Sequence, residues 1–164
     1  MELGGINRPG EEKVFLISTT HGGETHAMSA CMATMKVFKE QNVIAHNHSM
    51  GDLLISKVRD AIAKKGLSDY VSLSDSNWMV AFGFKNKDKA VDNGLRTLFM
   101  QEMIKRGVLF QGVFVPCFSH QTKDVDFFTE AVFESLEIFG RALASGYQQF
   151  LIGEPTKPVF RKFL

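Results

Sequence analysis

The sequence predicts an α+β fold in which a small, mostly antiparallel sheet is covered by helices. Three observations carry this expectation. Stretches with the helical hydrophobic period alternate with short stretches of strand-like alternation. Two of the latter, Tyr70-Val71-Ser72-Leu73 and Trp78-Met79-Val80-Ala81-Phe82-Gly83-Phe84, flank the polar turn Ser74-Asp75-Ser76-Asn77 and read as an antiparallel hairpin. Near the end, Val125, Phe128, Val132, Leu136, Phe139 and Leu143 recur at steps of three and four, the stripe of a helix packed over a sheet.

The elements follow in order. Residues 1–12 hold Gly4-Gly5, Pro9-Gly10 and Glu11-Glu12, which is loop chemistry. The apolar run Val14-Phe15-Leu16-Ile17 reads as a strand that stops at hydroxyls and paired glycines. From Thr25 to about Phe38, small and apolar residues surround most of a helix, and such a helix is expected to be buried, as in a crossing between two domains. A second helix is predicted near Gly51 to Lys65, with Leu54, Val58, Ala61 and Ile62 on one stripe and Gly66 as its C-terminal cap. After the hairpin, a helix from about Asp92 to Lys105 buries Leu95, Leu98, Phe99 and Met103 and stops at Gly107. The apolar segment Val108-Leu109-Phe110 comes next. In the last helix Asp124 and Asp126 sit in the first turn, where negative charge favours the positive helix end. From the second helix on, the order is helix–strand–strand–helix–strand–helix. Trp78 and the many phenylalanines read as core.

The chain has 45% hydrophobic and 23% charged residues and a formal net charge of +1. That balance gives no support to a nucleic-acid or membrane-surface role. No apolar run reaches the roughly 20 residues of a membrane span, and the N-terminus lacks a signal-peptide pattern, so a cytoplasmic protein is expected. Cys31 and Cys117 belong to no paired-ligand motif and read as reduced core thiols. The five histidines do not suggest a metal site: His21 and His26 fall on different faces, and His46-Asn47-His48 lies at an expected helix entrance.

One segment carries chemistry. Ser18-Thr19-Thr20-His21-Gly22-Gly23-Glu24-Thr25 places a hydroxyl and glycine turn between a strand and a helix start, where exposed backbone N–H groups suit a phosphate. By itself such a turn also serves as a plain helix cap. The stretch from Phe15 through Thr25, followed by Ala27-Met28-Ser29-Ala30, resembles the class III pyridoxal-phosphate-dependent aminotransferases. Within them it is most similar to glutamate-1-semialdehyde 2,1-aminomutase-like members. Gln101-Glu102-Met103-Ile104-Lys105-Arg106-Gly107-Val108-Leu109-Phe110, then Phe118-Ser119-His120 with Asp124-Val125-Asp126, agree with it. The ending Lys157-Pro158-Val159-Phe160-Arg161-Lys162 is similar to a sugar- or polysaccharide-associated branch. The likeness runs over nearly the whole chain in the right order.

The resemblance implies the C-terminal small domain of a type I pyridoxal-phosphate transferase fold at 39–164, preceded at 1–38 by the last piece of the large cofactor domain and its crossing helix. It implies that Thr20 donates to the phosphate of pyridoxal 5'-phosphate in the neighbouring subunit of a homodimer, with Thr19 at the same corner, and that His120 stands on the substrate side. The family's cofactor-carrying lysine is expected upstream of Met1. Lys13, the nearest candidate, sits in a hydrophilic Glu-Glu-Lys turn. The chain alone is thus expected to carry no catalytic residue and no transaminase activity. The partners implied are a small-molecule amino donor and acceptor. The stretch 110–118 contains no arginine, so recognition of an α-carboxylate from that side is not expected. A second expectation is a stand-alone, non-catalytic binding module derived from such an enzyme.

Overall fold

The computed structural model describes residues 23–157. Their elements are α1 (Thr25–Glu40), α2 (Val43–Lys64), β1 (Val71–Leu73), β2 (Val80–Phe84), α3 (Asn93–Lys105), β3 (Val113–Phe114) and α4 (Thr122–Ser145). From α2 onward this is the order read from the sequence, although the strand after α3 is Val113–Phe114 and Val108-Leu109-Phe110 forms none, and the class is α+β. The loop at 1–12 and the strand at 14–17 lie outside the described residues. The chain divides into two units, Met1–Val43 and Ile44–Leu164.

In the first unit, α1 runs to Glu40, where Lys36 and Glu40 pair at an i,i+4 spacing. Its Gln41 N–H closes on the Val37 carbonyl, and Asn42 takes a left-handed φ of 51°, a conformation that asparagine tolerates. The expectation of a buried helix fails: α1 has no buried residue, and Met28, Met32, Met35 and Phe38 are exposed. With apolar side chains all round it, the helix would need cover on every side to hide them. Cys31, on the same helix, is likewise exposed rather than a core thiol.

In the second unit the sheet order is β1-β2-β3, antiparallel throughout. Val71 faces Phe84, Leu73 faces Phe82, and Val80 faces Phe114. β2 shows the alternation its sequence promises, with Val80, Phe82 and Phe84 buried. These side chains meet Phe99 of α3 and Phe128 and Phe139 of α4 in an aromatic core. Phe84 and Phe99 centroids are 4.9 Å apart, and Phe82 meets Phe110 edge-on at 5.0 Å. Leu54, Val58 and Ile62 of α2 complete that core. α4 contributes Val125, Phe128, Val132, Leu136 and Phe139, the stripe predicted from sequence. Each such side chain, fully buried, stabilises the fold by about 1.5–3 kcal/mol.

α2 begins at Val43, eight residues before the predicted start. Gly51 is no boundary: it lies inside the helix, under the backbone carbonyl of Asn77, where any Cβ would overlap that oxygen. Gly66, at φ 67°, does end α2 as expected, and its N–H meets the Ala63 carbonyl. Asp92 caps α3 by accepting from the Leu95 N–H at 2.9 Å. Trp78 is 57% exposed beside the hairpin turn, so the reading of it as core is corrected. The turn residues place it outside the β2 ladder, which starts only at Val80.

Glu102 is the one buried carboxylate of the described residues. Burial pushes its carboxyl up, but hydrogen bonds from Lys105, Arg106 and Gln101 outweigh that and hold it below its ordinary value. Arg106 also reaches Glu134 of α4 at 2.8 Å, tying the end of α3 to α4. Beyond α4, the tail lies along α3. Gln101, Thr97 and Asn93, spaced four apart on one stripe, bond to Phe150, Ile152 and Thr156.

Candidate functional site

Of the residues marked out in the sequence, Thr19 and Thr20 lie outside the described residues, as does His21. His120 is described. It closes the loop between β3 and α4, where its N–H donates to the Cys117 carbonyl at 3.0 Å. The Cys117 N–H donates back to Nδ1 of the His120 ring, also at 3.0 Å. Because Nδ1 accepts, the neutral ring carries its proton on Nε2. Residues 117–120 are thereby a doubly closed turn.

Two elements hold this turn in place. The His120 ring lies over Phe114 of β3, with centroids 5.0 Å apart. From α2, His46 Nε2 donates to the His120 carbonyl at 2.9 Å, and its ring meets Phe118 edge-on at 5.2 Å. Gln121 and Asp124 then form a capping box at the start of α4, with the Gln121 N–H donating to Asp124 Oδ2 at 2.8 Å. Cys117 is exposed in the turn, which corrects its reading as a core thiol: the run from Val113 leaves the sheet after Phe114.

Between the segment 107–115 and the first turns of α4 is a cavity of about 350 Å³. Leu109, Val113, Val115 and Phe127 wall it, and His120 and Asp124 are its side chains with hydrogen-bonding or charged groups. No arginine lines it. Arg106, next to Gly107 in sequence, is held by Glu102 and Glu134, and Arg96 of α3 donates to the Gln111 carbonyl at 2.7 Å and braces the turn at Gly112.

His46 and His48 make structural contacts. His46-Asn47-His48 lies in the first two turns of α2, so these residues follow helical rather than alternating spacing. His48 Nδ1 meets Asn77 Oδ1 at 2.5 Å, and Asn77 Nδ2 donates to Asp52 Oδ1 at 2.8 Å, which fastens the hairpin turn to α2. Among the described residues no group of three His, Cys, Asp or Glu could hold a metal ion. No helix there is long and apolar enough to cross a membrane.

No protein-family model matches the chain. The fit to the implied cofactor therefore rests on the side chains. A lysine that carries an aldehyde cofactor works from a desolvated pocket or beside another cation, where its charge is disfavoured. None of the described lysines is buried. Lys57, Lys65, Lys89 and Lys105 are each paired with a carboxylate, on Asp126, Glu137, Asp69 and Glu102. The described residues do not fit that requirement.

The sequence reading singled out His120 and not the groups that hold it. His46 and His120 are 74 residues apart, and no local pattern links them. The cavity was missed too, because its wall residues Leu109 and Phe127 look like ordinary members of apolar runs.

Proposed function

We propose that this chain is the C-terminal portion of a class III pyridoxal-phosphate-dependent aminotransferase or aminomutase, active as a cytoplasmic homodimer on a small amino or keto substrate. The observation that carries the reading is the order of its parts. In the sequence Ser18-Thr19-Thr20-His21-Gly22-Gly23 precedes the helix that starts at Thr25, and the α2-β1-β2-α3-β3-α4 module follows. On this reading 39–164 is the small domain of a type I transferase fold and 1–38 the end of the large one. Pyridoxal phosphate, when bound, supplies the electron sink for moving an amino group. Thr20 and Thr19 anchor its phosphate across the dimer, and His120 stands on the substrate side. The lysine comes from sequence upstream of the turn.

The test is the coding DNA upstream of the Met1 codon, read in frame, followed by cofactor retention in the encoded protein. An open frame with a lysine among small residues at a strand end is expected, and Thr20→Val should then release the cofactor more readily. A stop codon directly upstream, or unchanged retention in that variant, overturns the proposal. Measurable turnover of an amino donor by the 164-residue chain alone also contradicts it.

The exposed Met28, Met32, Met35 and Phe38 of α1 favour a second reading, a stand-alone binding module that offers this helix to a partner. A defined monomer or dimer supports the module. Self-association and strong dye binding support a domain separated from its cover.

A further inference from the structure

We propose that the cavity between residues 107–115 and the start of α4 binds a small, uncharged, apolar molecule through a carbonyl group, and that it rejects carboxylates. Its volume of about 350 Å³ falls in the range of small-molecule sites, about 300–1,000 Å³. Its walls are apolar and unusually open to solvent for side chains of this kind. Leu109 is 87% exposed, Val115 57% and Phe127 54%, and all three line the same hollow. The ring of Phe128 adds a buried face to it.

Two polar side chains set the chemistry of the occupant. His120 is fixed by the Cys117 N–H on one side of its ring and by Phe114 beneath it, so its proton sits on Nε2. That N–H has no partner among the described residues, and His120 lines the cavity. A positioned neutral donor with nothing to donate to selects a hydrogen-bond acceptor. Asp124 is the second group. One of its carboxylate oxygens accepts from the Gln121 N–H, and the residue lines the same cavity. A ligand carboxylate entering here would face that negative charge, with no arginine or lysine lining the cavity to offset it. The acceptor that satisfies both conditions is uncharged, and a ketone or aldehyde oxygen is the simplest. Two other hollows, of about 410 and 470 Å³, offer no such selection. The first is lined by the matched pair Lys57 and Asp126, and the second contains Arg59, already bonded to Asp75.

The inference does not depend on the aminotransferase reading, since it concerns binding by the chain without cofactor. The full chain is titrated with acetophenone, ethylbenzene and benzoate, and the resonances of Val113, Phe127 and His120 are followed by NMR. Acetophenone should shift them saturably. Ethylbenzene, which lacks the acceptor, should bind about fivefold more weakly. Benzoate should bind about tenfold more weakly or worse. Val113→Trp, at an exposed β3 position on the cavity wall, should abolish binding, and Asp124→Asn, which keeps the cap acceptor, should narrow the benzoate gap. His120→Phe should remove the advantage of the ketone over ethylbenzene while keeping the ring contact. The proposal is overturned by no saturable shift with acetophenone, by equal affinity for benzoate, or by binding that survives Val113→Trp in a folded variant.

Discussion

Replacing Glu102 by glutamine should destabilise the fold by about 2 kcal/mol at neutral pH and by almost nothing in acid. The Glu102 side chain is only 6% exposed, and its oxygens take hydrogen bonds from Lys105 at 2.7 Å and Arg106 at 2.9 Å. Hydrogen bonds to charged groups contribute roughly 1.5–3 kcal/mol each. Lys105 is 46% exposed, so its share falls to about 1 kcal/mol or less, whereas Arg106 is 22% exposed and keeps more. Glutamine avoids desolvating a carboxylate, which returns part of the loss and leaves about 2 kcal/mol. Urea denaturation reads this directly: with a slope of roughly 2 kcal/mol per molar, the midpoint falls by about 1 M. The sign of the pH dependence follows from the carboxyl lying below its ordinary value. Its contribution is complete above the unfolded value of about 4.3 and is lost as pH falls through the lower folded value. Glutamine does not titrate, so the gap between the two proteins should close in that window. A gap of the same size at neutral pH and well below the carboxylate range, or no gap at neutral pH, would refute the reasoning.

Gly51→Ala should destabilise by about 1–3 kcal/mol, because the added methyl overlaps the Asn77 carbonyl and forces the hairpin turn off α2. Chemical denaturation would show it, against the gain of about 1 kcal/mol that alanine gives an open helix site. Phe99→Ala empties the centre of the aromatic core and should lose about 3–5 kcal/mol, read as an early, broadened unfolding transition. Trp78, the single tryptophan, should emit at the wavelength of a solvated indole and be quenched by acrylamide in the native state. Both cysteines should react with a thiol reagent without denaturant, and a protected thiol would contradict their exposure.

How far the sequence could be read depended on the range of the force that decides each feature. The stripe on α4 and the alternation in β2 are local periodicities, and both elements stand where their apolar spacing puts them. Gly66 acts within one turn of its own position, and that cap was legible for that reason; Asp92 was read only as the start of α3, which it caps. Gly51 misled because a glycine that admits another segment's backbone looks, in sequence, like one that bounds a helix. Trp78 and Cys117 misled in the opposite way. Their apolar neighbours suggested burial, but burial is decided by where the strand leaves the sheet, and β2 starts after Trp78 while β3 ends before Cys117.

The same contrast explains why the candidate site was only half visible. His120 could be singled out because it follows an apolar run and precedes a helix. What gives it a defined chemistry is the proton on Nε2, which depends on the Cys117 N–H three residues away in sequence and on a turn held by His46 from 74 residues away. A tautomer is a property of the network around a ring, so no residue type or spacing can announce it. The cavity wall adds a second long-range dependence. Gly107 at φ 80° and Gly112 at φ 94°, the latter braced by Arg96, turn the chain twice between α3 and β3. Those turns bring Leu109 and Val113 to the hollow that Phe127 of α4 shares. Changing Arg96 should therefore alter binding at His120 without touching the ring, because the segment it braces carries the opposite wall.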